Sequence, residues 1–375
     1  MTILCHSFKG GGIRGVLRYF YLLAAQTLGA RKIGPDLEES APSSEKRLAV
    51  LDGWRGISIL LVLAAHLLPL GPKVLQLNET AGPMGMALFF TLSGFLITRF
   101  LLRHDSIVDF LLRRFFRIIP LAWIALLIAL PMASAPLAVY PANFFFYANL
   151  PPQQLTDVAS HFWSLCVEVQ FYVGVALLVR ILGRRGLYLL PILCLAVTAH
   201  RIATGAEVDI VTWRRVDEIL AGALLAMAYE GRFGANAVRW FRYVNAYVFL
   251  GLLVVTSHPA FGFANYLRPY IAALLVGSTL FGAPVVLDRL LRTRTLAYIA
   301  EVSYALYVTH HLLMYTWLGT GEGWLKYAKR IPLFIATFAI SHLSTFYYER
   351  RFIDLGHRLS RAFRARAVAA ANASR

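Results

Sequence analysis

Residues 51–70 read LDGWRGISILLVLAAHLLPL, twenty positions that are almost all apolar. A bilayer core of about 30 Å is crossed by about twenty such residues in helical form, so this stretch predicts a membrane span, placed at 48–70. The same ruler picks out nine more: 83–102, 117–136, 162–182, 187–204, 216–229, 243–257, 268–287, 296–317 and 331–348. The reading is therefore an all-α integral membrane protein, a bundle of about ten transmembrane helices. YPANFFFYANL at 140–150 reads either as an extra half-helix or as an interfacial segment.

Composition agrees. Of 375 residues, 58% are hydrophobic and 15% charged, with a mean hydropathy of +0.60, against about 25% charged in an ordinary soluble domain. The net charge of +17 does not point to nucleic acid, because no soluble basic domain is left to hold it. Cytoplasmic loops of membrane proteins collect Lys and Arg, and that accounts for the surplus. With the N-terminus inside, the inner segments hold 28 of the 37 Lys and Arg against 8 outside, which predicts an N-in/C-in topology. Residues 1–46 read as a cytoplasmic amphipathic segment, with a basic stretch at 13–30 lying on the membrane surface and no cleavable signal. Residues 351–375 read as a basic cytoplasmic tail, disordered or surface-bound. Cys5, Cys166 and Cys194 lie far apart, with no metal spacing and no disulfide framework.

An ionisable residue inside a span is costly unless paired or hydrated. Asp52, Arg55 and His66 all lie in the first span. Arg55 and His66 are eleven residues apart, about three turns, so they share a face about 16 Å apart along the axis; Asp52 lies close to that face. Glu168, in HFWSLCVEVQFYV, comes out about 9 Å below the outer surface and His66 about 6 Å below it. Matching depth predicts a carboxylate–imidazole pair in which Glu168 orients His66 and raises its basicity, with His161, Trp163 and Ser164 at the outer mouth. A purely structural pair is the bland alternative. Arg113, Arg114 and Arg117 in FLLRRFFRIIP form a fork at the inner interface able to hold phosphates; the bland alternative is a topological anchor. Along the ninth span, Ser303 and Tyr307, and Tyr307 and His311, are each four apart on one face. Ser93 and Gly94 in SGFLI permit close helix approach.

LDGWRGISILLVLAAH, FFTLSGFLITRFLLR, FLLRRFFRIIP, HFWSLCVEVQFY and SYALYVTHH, in this order, resemble the acyltransferase-3 family of bacterial integral-membrane O-acyltransferases over roughly residues 47–350. That resemblance implies a transmembrane acyltransferase domain at 47–350, an acyl-CoA co-substrate (acetyl-CoA by family frequency) and the bacterial inner membrane. It implies His66 and Glu168 as catalytic residues, and Arg55, Arg114 and Arg117, helped by Arg113, as the donor site. Asp52, Ser164, Tyr304, Tyr307 and His310 fall to the acceptor. The chain departs from the family's usual pattern at Trp54. The expected partners are acyl-CoA, a carbohydrate or glycolipid acceptor and the bilayer, with no nucleic acid and no metal. Two alternatives stand beside an exported carbohydrate as acceptor: a macrolide-like small molecule, and a glycan exporter using the same polar tunnel.

Overall fold

The computed structural model describes residues 43–104 and 106–373; the amphipathic stretch expected at 13–30 lies outside them. The described residues are helical, with no strand among them. A helix lies over each of the ten expected stretches. They are α1 (Ser43–Leu67), α2 (Leu77–Arg103), α3 (Ile107–Met132), α4 (Trp163–Leu182), α5 (Leu190–Ala203), α6 (Asp217–Tyr229), α7 (Ala246–Ser257), α8 (Arg268–Gly282), α9 (Arg294–Met314) and α10 (Arg330–Leu343). Among the described residues, five helical runs are long and apolar enough to cross a membrane: Leu48–Leu67, Lys73–Arg103, Ile107–Met132, Ser160–Ala203 and Gly323–Ala365. A sixth is added if Pro259–Gly282 and Val285–Leu291, which meet at a 100° bend, count as one span. The aromatic stretch at 140–150 holds only a short helix, Tyr140–Phe144.

Local sequence explains the helix ends. Ser106 caps α3 by accepting from the Asp109 backbone N–H at 3.1 Å, satisfying one of the donors left open at a helix start. α5 and α8 carry proline in the first turn, where a missing N–H costs nothing. Pro83 in α2 and Pro120 and Pro131 in α3 lie inside helices, a pattern that membrane helices tolerate.

Small residues set the tightest approach. A methyl group built on Gly94 of α2 would meet the Ile219 carbonyl oxygen at 1.9 Å, and one on Gly222 of α6 the Thr91 carbonyl oxygen at 2.0 Å. The two backbones therefore touch through paired glycines, as in small-residue membrane interfaces. α1 is pinned to α2 by Ser58, which donates to the Gly85 carbonyl at 2.8 Å, and to α8 by the Trp54 indole, which donates to Thr279 Oγ1 at 2.9 Å. These contacts hold the polar face of α1 toward the bundle.

Of the two readings of the C-terminal segment, disordered or surface-bound, the first is corrected: Arg350–Ala373 is helical (α11), joined to α10 through the π-helical turn Ser344–Glu349. It lies along α3: Ser360 and Arg364 both donate to the buried Asp109 carboxylate, and Gly356 abuts Phe116. A buried carboxylate needs such partners, and it draws the tail onto the bundle.

Candidate active site

Four histidines converge at one end of α1. His66 lies in the last turn of α1, His161 in the short 3-10 lead-in to α4, and His310 and His311 in α9. The His66 and His310 rings stack with centroids 5.2 Å apart, His66 and His311 are 5.5 Å apart, and His161 lies 5.2 Å from His310 and 4.7 Å from His311. His66, His161 and His311 line a cavity of about 330 Å³ together with Trp163, Asp209, Arg215 and Tyr307. His310 is fully buried behind them, while His66 is exposed to the cavity.

Hydrogen bonding fixes the tautomers. His310 Nδ1 lies 2.7 Å from the Tyr307 carbonyl. A carbonyl only accepts, so Nδ1 carries the proton and, in a neutral ring, Nε2 is the lone pair. His66 Nδ1 lies 3.1 Å from that Nε2 and must donate to it. His66 is thereby left with a bare Nε2, which has no partner among the described residues and is the form a general base requires. His311 Nδ1 likewise donates to the Val158 carbonyl at 3.1 Å, and His161 Nε2 to the Val308 carbonyl at 3.3 Å.

The expected His66–Glu168 pair does not form; the partner of His66 is His310. Glu168 accepts from Ser93 and from Tyr172, one turn on in its own helix. It lies within electrostatic range of Arg55 and Arg117, so its side chain belongs with the arginines rather than the histidines. Depth along a helix axis does not specify which way a side chain points, and Glu168 points toward α2 and Ser93.

Arg55, Arg114 and Arg117 stand within range of one another's charge, and Arg114 lies over the Tyr172 ring at 5.9 Å. Arg113 stands apart from this cluster: its Nε donates to Asp109 at 2.8 Å, the carboxylate that also holds α11, so it is committed to structure. Asp52 is 54% exposed and sits 3.7 Å from Arg55, about four turns of α1 from His66. Among the remaining acceptor residues, Ser164 and Tyr307 share a hydrogen bond at 2.5 Å, and Tyr307 also donates to the His161 carbonyl. Tyr307 lines the cavity. Tyr304 instead donates to the Ile118 carbonyl at 2.6 Å, tying α9 to α3.

Two residues that the sequence offers only as weaker candidates, His311 and Arg215, belong to the cavity wall. His311 follows His310 directly, and adjacent residues on a helix face about 100° apart, so His311 reaches the cavity while His310 packs behind it against His66. The four-residue spacing from Tyr307 was the available signal. Arg215 is a cavity residue, its guanidinium 5.3 Å from the Trp163 ring centre.

The sequence profile of a family described as an acyltransferase domain matches residues 48–350. The acyltransferase MdmB of Streptomyces mycarofaciens is 29% identical over 163 residues, 38% of this chain and 42% of that protein. The peptidoglycan O-acetyltransferase OatA of Listeria monocytogenes is 27% identical over 157 residues, 35% of this chain and 24% of its own length. The matched stretch thus spans less than half of either relative. No solved structure matches the chain.

Proposed function

Since the chain belongs to the acyltransferase-3 family, and is thus a membrane acyltransferase, we propose that it moves an acyl group, acetyl in the simplest case, from cytoplasmic acyl-CoA to a hydroxyl of a cell-surface or exported carbohydrate. The observation that carries this reading is the chain Tyr307 carbonyl–His310–His66, which leaves His66 Nε2 bare on the cavity.

In the proposed reaction the CoA phosphates lie on Arg114 and Arg117, with Arg55 beside the donor's pantetheine arm. Three guanidinium groups gather here, with Asp52, Glu168 and Glu349 within range of their charge, and guanidinium forks match phosphate oxygens. An extended arm then covers the roughly 16 Å along α1 from Arg55 to His66. His66 Nε2 takes the proton of the acceptor hydroxyl as its oxygen attacks the thioester carbonyl. The tetrahedral intermediate collapses, the C–S bond breaks and CoA leaves as the thiolate. The rings of His310 and His66 are held by their hydrogen bonds, so the base is oriented before substrate arrives. Donor on the arginine side and acceptor on the histidine side fit ten spans in the N-in/C-in topology, in the bacterial inner membrane.

The test is acetyl-CoA-dependent acylation by membranes supplied with surface glycans, read by mass and by CoA release. His66→Ala is expected to lose 10²–10⁴-fold in rate, the share that general-base help provides, with the protein still folded. Near-normal transfer by that variant disproves the mechanism.

A further inference from the structure

At the cavity wall and behind it, five ionisable side chains are buried: Arg201, Arg215, Asp217, Glu218 and Arg268, each at most 1% exposed. Arg201 pairs with Asp217 at 2.5 Å and Arg268 with Glu218 at 2.8 Å. Arg215 is the third cation against two carboxylates. Its Nη2 stands 3.4 Å from Glu218 Oε2, too poorly directed to be a hydrogen bond, and its Nε and Nη1 have no acceptor at all. Desolvated guanidinium donors without partners are costly, and the cluster retains one net positive charge. Arg215 lines the same cavity as His66, braced on Trp163. The acid on that wall, Asp209, is already engaged: its oxygens accept from the Ile210 and Val211 amides at 2.7 and 2.8 Å and from Arg214 at 3.2 Å.

We propose that Arg215 binds a carboxylate on the acceptor, so that the preferred substrate is an acidic sugar whose hydroxyl is presented to His66. This rests on the acyltransferase reading above and narrows its acceptor class. One negative charge balances the one residual positive charge, and a planar carboxylate matches a guanidinium. A phosphate monoester, at about −1.5 to −2, overfills the site. The cavity lies three turns of α1 away from Arg55, so it is separate from the donor's phosphates.

Thermal unfolding of the purified full-length protein in lipid nanodiscs tests the assignment, with D-glucuronate, D-glucose and inorganic phosphate as probes. Glucuronate is expected to stabilise the wild type and glucose is not. Arg215→Gln is expected to weaken glucuronate binding roughly 10- to 100-fold, the loss of a charge-assisted bond. Arg215→Lys keeps the buried charge, weakens binding about ten-fold as the planar fork is lost, and carries the test if the glutamine variant does not fold. Absence of stabilisation by glucuronate, an equal response to glucose, or a response unchanged in both variants overturns the proposal. A phosphate response that depends on Arg215 and exceeds that of glucuronate overturns it in favour of a phosphorylated acceptor. Active His66→Ala would refute the mechanism, whereas a failed Arg215 result would refute only the acceptor class.

Discussion

Removing the His310 ring while keeping His66 separates the orientation of the proposed base from the base itself. His310→Ala leaves His66 Nδ1 without its acceptor, so the ring is free to rotate and to exchange tautomers. We expect kcat to fall about ten- to hundred-fold, part of the 10²–10⁴ that general-base help supplies, with the KM for acyl-CoA little changed. His310→Gln offers a side-chain carbonyl to the same N–H and should recover part of the rate; no difference between the two variants would argue that His310 only fills space. Glu168→Gln should behave differently. Its bonds go to Ser93 and Tyr172 beside the arginines, so it is expected to change the KM for acyl-CoA severalfold and leave the pH profile of kcat in place. A profile that moves as in His310→Ala would place Glu168 in the base's circuit after all. At this scale the sequence was half legible. Arg55, His66 and Arg114 stood out because isolated charges in an apolar run demand a reason. The partner of His66 was hidden because a one-dimensional count yields depth alone, and one turn is about 5.4 Å. At matching depth the candidates include every helix around the bundle, and His310 is 244 positions away in sequence.

Among elements, the contact of α2 with α6 is the most constrained. Gly94→Leu or Gly222→Val places a branched side chain where a carbonyl oxygen already sits at about 2 Å. Each is expected to cost at least the roughly 1–3 kcal/mol of an overpacked core, read as a lower melting temperature in detergent. Gly174→Ala, with nothing within 4 Å of the added carbon, should be neutral. Glu218→Gln strands Arg268 and Arg215 in a buried site and is expected to destabilise by about 3–5 kcal/mol; an unchanged melting temperature would mean water reaches the cluster. The helices themselves were legible from hydropathy, and SGFLI correctly announced a close approach at Gly94. The C-terminal helix was not, since its basic, small-residue sequence resembles a solvated tail. What orders it is the burial of Asp109, an acid in the first turn of α3 that accepts from Ser360 and Arg364 some 250 positions later.

For the whole molecule, the orientation is a proposal that rests on the division of Lys and Arg between the two sides, a rule in which acidic partners count little. N-in/C-in then predicts that Lys73→Cys and Lys326→Cys react with an impermeant thiol reagent added to intact cells, and that Arg232→Cys and Arg289→Cys react only after permeabilisation; the reverse pattern refutes it. The Tyr307 carbonyl at the end of the histidine chain has a further consequence for the two-sided reaction proposed above. A carbonyl has no proton to release and does not hold one, so the chain behind His66 is a cul-de-sac rather than a wire. Whatever proton His66 takes from a hydroxyl must return through Nε2, to the departing sulfur or to water in the cavity. In the proposed reaction each turnover that discharges into the water therefore deposits its acid on the acceptor's side of the membrane, leaving the donor's side to receive CoA as the thiolate.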